Sequence, residues 1–192
     1  MAIYQTNFAE YEVKESSVKF NDAAESSFNK LGCVGKLDEE LECKVVQKKC
    51  EGIVAKTRTI GTGNGTLTLS LHIRYDLYAK AFGMESTDLK DGVVAYGRNS
   101  RHKEFTYVAK VLDEDGLEKM IAYPRCIMAS APKRSIENGV EEIAEIEIEI
   151  SIMPDDFGNG KYEMVVTNDV DETVKSTWLT AFTPALVRKS SV

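Results

Sequence analysis

From Ala144 to Ile152 the chain reads Ala-Glu-Ile-Glu-Ile-Glu-Ile-Ser-Ile, with an apolar residue at every second position. On a helix such a run would scatter its isoleucines around the circumference, whereas on a strand it places them all on one face. Glutamate disfavours strands, but β-branched isoleucines in strict alternation outweigh that weak preference. The segment is therefore a strand with one dry face and one charged face. A chain built around it needs a sheet whose outer side carries Glu145, Glu147 and Glu149.

The same alternation runs from Thr66 to Tyr75, where leucine and isoleucine interleave with hydroxyls, His72 and Arg74. The glycines of Gly61-Thr62-Gly63-Asn64-Gly65 suit a tight turn or a bulge with positive φ, after a strand from Ile53 to Ile60. Further strands are predicted at 41–46, 105–112, 117–128, 162–167 and 174–182. Asp113-Glu114-Asp115-Gly116 reads as a hairpin loop, and residues 155–160 as a longer one. One short helix is predicted, with Asp76 as its cap, Leu77 to Phe82 as its body and Gly83 at its stop position.

So many closely spaced strands with one short helix predict a mainly β fold, an antiparallel β-sandwich or barrel with a flanking α-helix. The 192 residues suit a single domain at 31–182. Residues 1–30 are polar, with scattered aromatics at Tyr4, Phe8, Tyr11, Phe20 and Phe28, and read as an N-terminal arm. Residues 183–192 read as a C-terminal tail, and such arms are ordered by a neighbour or fray. Between Lys36 and Lys56 a long hairpin loop carries Asp38, Glu39 and Glu40, then Lys44, Lys48 and Lys49.

Acidic residues outnumber basic ones, 31 to 24, for a formal charge of −7. Tight, sequence-independent binding to nucleic acid needs the opposite balance. No apolar run is long enough to span a bilayer, and the first residues lack the pattern of a secretory signal, so a cytosolic protein is expected. The four cysteines, Cys33, Cys43, Cys50 and Cys126, are spaced too widely for a metal knuckle and are expected to be reduced.

Little in the chain reads as catalytic. His72 lies on the polar face of a strand, and His102 lies in a basic stretch that suits a hydrogen-bond donor better than a metal ligand. Ser27-Phe28-Asn29-Lys30 matches S-x-x-K without its companion motifs. The glycines at 61, 63 and 65 precede a strand, where a phosphate loop must precede a helix. Neither a cofactor nor a metal is implied.

The six glutamates at 137, 141, 142, 145, 147 and 149 are interrupted by neither lysine nor arginine. Same-face residues on a strand lie roughly 6.5–7 Å apart, a spacing that allows a carboxylate dyad. Catalytic pairs, however, need differently tuned environments, and an even row offers none. One reading is a plain solvated face. The other is a surface that something negatively charged must pass without sticking, because a one-signed row accepts repulsion that mixed charges would avoid.

Residues 56–84, from Lys56-Thr57-Arg58 through the glycine run to Ala81-Phe82-Gly83-Met84, resemble the strand and helix segment of bacteriophage major tail proteins. These form the tail tubes of long-tailed phages, mostly of Gram-positive hosts. Val93 to Gly97, the 105–120 hairpin and the acidic 141–153 strand follow in the same order, so the resemblance spans about residues 30–167. It implies a non-enzymatic subunit that assembles in the host cytoplasm into six-membered rings stacked as the tube of a virion tail. It also implies partners: other copies of itself, the tape-measure and terminator proteins, and DNA passing through without specific binding. On this reading Glu145, Glu147 and Glu149 face the lumen, and Asp38, Glu39, Glu40, Lys44, Lys48 and Lys49 form a ring-stacking hairpin. The arms and the Trp178 segment touch other subunits, though Trp178 also suits a plain core position. The alternatives are a monomeric β-sandwich binding module, for instance for carbohydrate, or the tube of a contractile tail, bacteriocin or secretion apparatus.

Overall fold

The computed structural model describes residues 7–22, 25–139, 141 and 143–189. Tyr4, Glu142, Ser190 and Ser191 lie outside them. Eight strands form one antiparallel sheet: β1 (Glu10–Phe20), β2 (Asn29–Lys30), β3 (Gly32–Cys50), β4 (Ile53–Ile73), β5 (Phe105–Asp113), β6 (Glu118–Met128), β7 (Ile146–Met153) and β8 (Tyr162–Val165). The order across the sheet is β2-β1-β5-β6-β7-β4-β3, with β8 also on β6. The two ends of that order meet. β2 runs through Leu31, whose N–H donates to the Ser16 carbonyl, directly into β3, so the sheet curls back on itself in a barrel-like closure.

The alternating strands explain the core. Leu67, Leu69 and Leu71 of β4 pair with Ile150, Ile148 and Ile146 of β7, and all but the half-buried Ile146 are buried. Tyr107 and Ala109 of β5 and Ile121 and Tyr123 of β6 close the other side. Helix α1 (Tyr75–Ala81) sends Leu77, Tyr78 and Ala81 into the same core beside Phe20 and Phe105. It begins two residues before the sequence suggests, with Arg74 at the N-cap. Asp76 is not its cap but accepts two hydrogen bonds from the Arg74 guanidinium, at 3.1 and 2.6 Å, which lower its pKa. Gly83, at φ 62°, ends the helix as its position predicts.

Three expectations need correction. Residues 174–182 are not a strand but part of a second helix, α2 (Glu172–Ala181), capped by Asp171, whose carboxylate accepts from the N–H groups of Thr173 and Val174. Trp178 packs from this helix onto Val108, Met120 and Ala122 on the outer side of β5 and β6, and its indole N–H donates to the Ile121 carbonyl at 3.0 Å. Within residues 1–30, Glu10–Phe20 are not an arm but strand β1, paired along β5, with Val18 and Phe20 in the core. The tract 61–65, expected as a tight turn or a bulge with positive φ, is a bulge inside the 21-residue β4, because Leu41 pairs with Gly65 but Cys43 pairs with Gly61, and Gly63 has φ 79°. The predicted Leu41–Val46 strand is likewise the middle of the 19-residue β3.

Candidate functional site: an acidic face and a projecting ribbon

Strand β7 lies between β6 and β4, and β4 in turn pairs with β3, so residues on their outer face form rows. One row runs Asp38, Thr68, Glu149; the next runs Lys36, Ser70, Glu147; a third runs Glu40, Thr66, Ser151 and Ile127. Glu147 and Glu149 are exposed on β7, while Glu145, also exposed, stands just before the strand with its carboxylate over the backbone of Gly35. These three rows carry Asp38, Glu40, Glu147 and Glu149, with Glu145 beside them, and the cation Lys36; in the next row Arg125, paired with Met153, is held by Glu104. Lys36 bonds Asp38 at 2.5 Å, which raises its pKa, and the charge of Glu147 adds to the rise.

The run Asp38-Glu39-Glu40 does not act as one acidic patch, because strand alternation turns the middle residue the other way. Glu39 accepts hydrogen bonds from the buried Tyr123 hydroxyl and from Lys161 Nζ. Burial first, and then the Glu39 carboxylate, push the Tyr123 hydroxyl far above its ordinary pKa. Lys161 also meets Glu163 at 2.9 Å. Burial alone would raise the Glu163 carboxyl, but Lys161 and Lys119 together hold it below the usual range. Glu39 is thus tied into the body at the root of the hairpin.

Beyond the bulge, β3 and β4 leave the body as a two-stranded ribbon. Residues 42–61 are exposed on both strands, including Val45, Val46, Ile53, Val54 and Ile60. Paired residues in an antiparallel ladder share a face. Lys44 pairs with Ile60, Val46 with Arg58, and Lys48 with Lys56, giving a face with four cations. The opposite face holds Cys43, Val45, Gln47, Thr57, Thr59 and Gly61, with no charge. Lys49, joined to the stacking set by its sequence position, pairs with Val54 past a further irregularity near the tip.

The root of the ribbon is clamped. Gly63, at φ 79°, sits so close to the 154–160 loop that a Cβ would lie 2.7 Å from the Gly158 carbonyl, and one on Gly160 would lie 1.9 Å from the Gly63 carbonyl. Only glycine permits this backbone approach.

The other residues weighed for chemistry are placed apart from this surface or within it as bystanders. His72 is exposed on β4. His102 lies at the end of β6, its Nδ1 2.9 Å from the Met128 carbonyl and its Nε2 3.1 Å from the Tyr96 hydroxyl. Cys33, Cys43 and Cys50 are exposed free thiols along β3, and Cys126 is a buried one whose pKa burial raises. Among the described residues no group of His, Cys, Asp or Glu is arranged to hold a metal, and no helix is long and apolar enough to cross a membrane. The exposed aromatics Tyr11, Tyr75, Tyr96 and Phe157 stand on four different segments. Sequence reasoning missed Arg58 as a partner of the lysines, since only the pairing register brings it to their face.

No protein-family model matches the chain, and no curated protein does. Two solved structures are similar over most of its length. One is a cryo-EM structure of the anti-feeding prophage baseplate, at 10% identity and TM-score 0.42, covering 88% of this chain and 100% of that one. The other is a cryo-EM structure of the tube-terminating cap of the same prophage, at 12% identity and TM-score 0.42, covering 86% and 100%. Both likenesses are too distant to assign a fold family.

Proposed function

We propose that this chain is a structural subunit of a phage tail tube, of the kind built by phages of Gram-positive hosts, with no enzymatic role. Six copies form a ring, rings stack into the tube of a virion tail, and the outer face of β7 turns toward the lumen. The observation that carries this reading is the predominantly acidic face in the same sheet as a ribbon that leaves the body exposed on both faces. The resemblance of residues 30–167 to major tail proteins supports it from the sequence side.

A lumen lined by Glu145, Glu147 and Glu149 from many subunits repels phosphate, so DNA slides without binding. The exposed ribbon engages the adjacent ring through Lys44, Lys48 and Lys49, while Asp38 and Glu40 lie on the body near its root. Glu39, bonded to Tyr123 and Lys161, sets the ribbon's root rather than meeting the neighbour. Tape-measure and terminator proteins are the further partners, and the subunit assembles in the host cytoplasm. Negative-stain microscopy of the purified protein tests the proposal: hollow tubes or rings are expected, and protein that stays free of both at high concentration overturns it.

A further inference from the structure

The acidic and basic surfaces described above lie on one and the same face. Along β3 no extra residue intervenes between Lys36 and Lys48, so Asp38 and Glu40 share a side with Lys44, Val46 and Lys48. Glu42 marks the bulge between them. The molecule therefore presents a single β surface that is acidic over the body and basic over the ribbon. Successive rungs on either part are about 7 Å apart, because both are strands. The cation ladder of one copy has the period of the glutamate row of another.

Charges segregated end to end on one face permit a reciprocal arrangement. Two copies laid face to face and antiparallel put each ribbon over the other's acidic sheet. Every attractive contact is then made twice, and the contact closes on itself as an isologous pair. A ribbon of about eight residues per strand is roughly 27 Å long and about 10 Å wide. Two such ribbons and the two surfaces they cover bury on the order of 1,100 Å², at the lower limit for a specific interface. Exposed Val46 and Ile60, between the cations, supply the apolar contact that the acidic face meets with Ile127 and the methyl groups of Thr66 and Thr68.

We infer that the chain pairs with a second copy of itself in this way, the cationic ribbon face of each seated on the acidic sheet face of the other. Such a pair hides both the proposed lumen surface and the stacking ribbon, so it is a form held before assembly that must open for rings to grow. The pairing rests on charge and register alone and stands or falls independently of the tube.

Sedimentation of the wild-type protein at low salt tests it, with tubes, where present, pelleted first. The expected result is a species of twice 21.3 kDa that dissociates at ~1 M salt, where screening shortens the Debye length to about 3 Å. A ribbon variant, K44E/K48E/K56E/R58E, and a sheet variant, E145K/E147K/E149K, should each be monomeric, with Kd weakened at least about 100-fold by like charges in contact. Mixed together, the two should restore a two-chain species, since each ribbon again meets an opposite sheet. A wild-type supernatant that is monomeric at low salt, or mixed variants that stay apart or grow past two chains, overturns the inference. Because the wild-type salt dependence needs no variant, misfolding of either variant leaves the test intact.

Discussion

Strands β3 and β4 are paired almost from end to end, yet the two halves of that pairing are physically opposite. In the body, β4 is flanked by β7, its leucines are fully buried, and each outer-face residue has neighbours in a row. In the ribbon the same two strands have only each other, and five large aliphatic residues face water. An isolated two-stranded hairpin is marginally stable at best. The lesson is that hydrogen-bonded pairing alone does not distinguish structure that stabilises the monomer from structure that awaits a partner. Burial distinguishes them.

The largest predicted contrast follows from that difference. Trp178→Ala in the body removes a side chain that is 1% exposed, together with its hydrogen bond to Ile121, and should lower unfolding free energy by ~3–5 kcal/mol in denaturant titration. Deleting residues 47–51 from the ribbon should leave that free energy within about 0.5 kcal/mol of wild type, the usual range for exposed sites, while abolishing tube elongation under the microscope. A deletion that unfolds the body would show the two halves to be one cooperative unit.

The boundary between the halves can be tested with glycines. Gly63→Ala must strain a left-handed backbone and meet the Gly158 carbonyl, which should cost ~1–3 kcal/mol. Gly61→Ala, two residues nearer the ribbon, adds a methyl group with nothing within 4 Å, and a change within about 0.5 kcal/mol is expected. Equal effects at the two positions would place the clamp elsewhere than at the bulge.

How much of this was legible in the sequence varies by element for physical reasons. β7 was readable because one of its faces is dry and the other charged, so period 2 survives in the letters. β1 was not, because only Ser16–Val18 and Phe20 of its eleven residues are buried and its first half reads as polar. α2 was misread because Thr173, Val174, Thr177 and Thr180 favour strands. The Asp171 cap and the spacing of Val174, Trp178 and Phe182 were the helix signal. Glu145, Glu147 and Glu149 were visible as an exposed row. The four-cation face was not, since Lys44, Lys48, Lys56 and Arg58 come together only through a register fixed by the bulge, and the run 38–40 is split by alternation that its letters do not announce.

Titration offers the mildest separation of body from ribbon. In the body, the Glu104 carboxyl is held below its ordinary value of 4.5, first by the forked hydrogen bonds from Arg125 at 3.0 and 3.1 Å. Glu163 is also held below that value, with Lys161 and Lys119 offsetting its burial. A carboxyl whose folded pKa lies below its unfolded one contributes stability that is complete above the unfolded value and is lost as pH falls through the folded one. Stability measured by denaturant titration should therefore be level above about pH 5 and decline below 4.5. Glu104→Gln and Glu163→Gln should flatten that decline while lowering stability at neutral pH. The decline should persist in the 47–51 deletion, because Glu104, Glu163 and the cations that hold them belong to the body, and a deletion that flattens it would mean that the ribbon is coupled to the body after all.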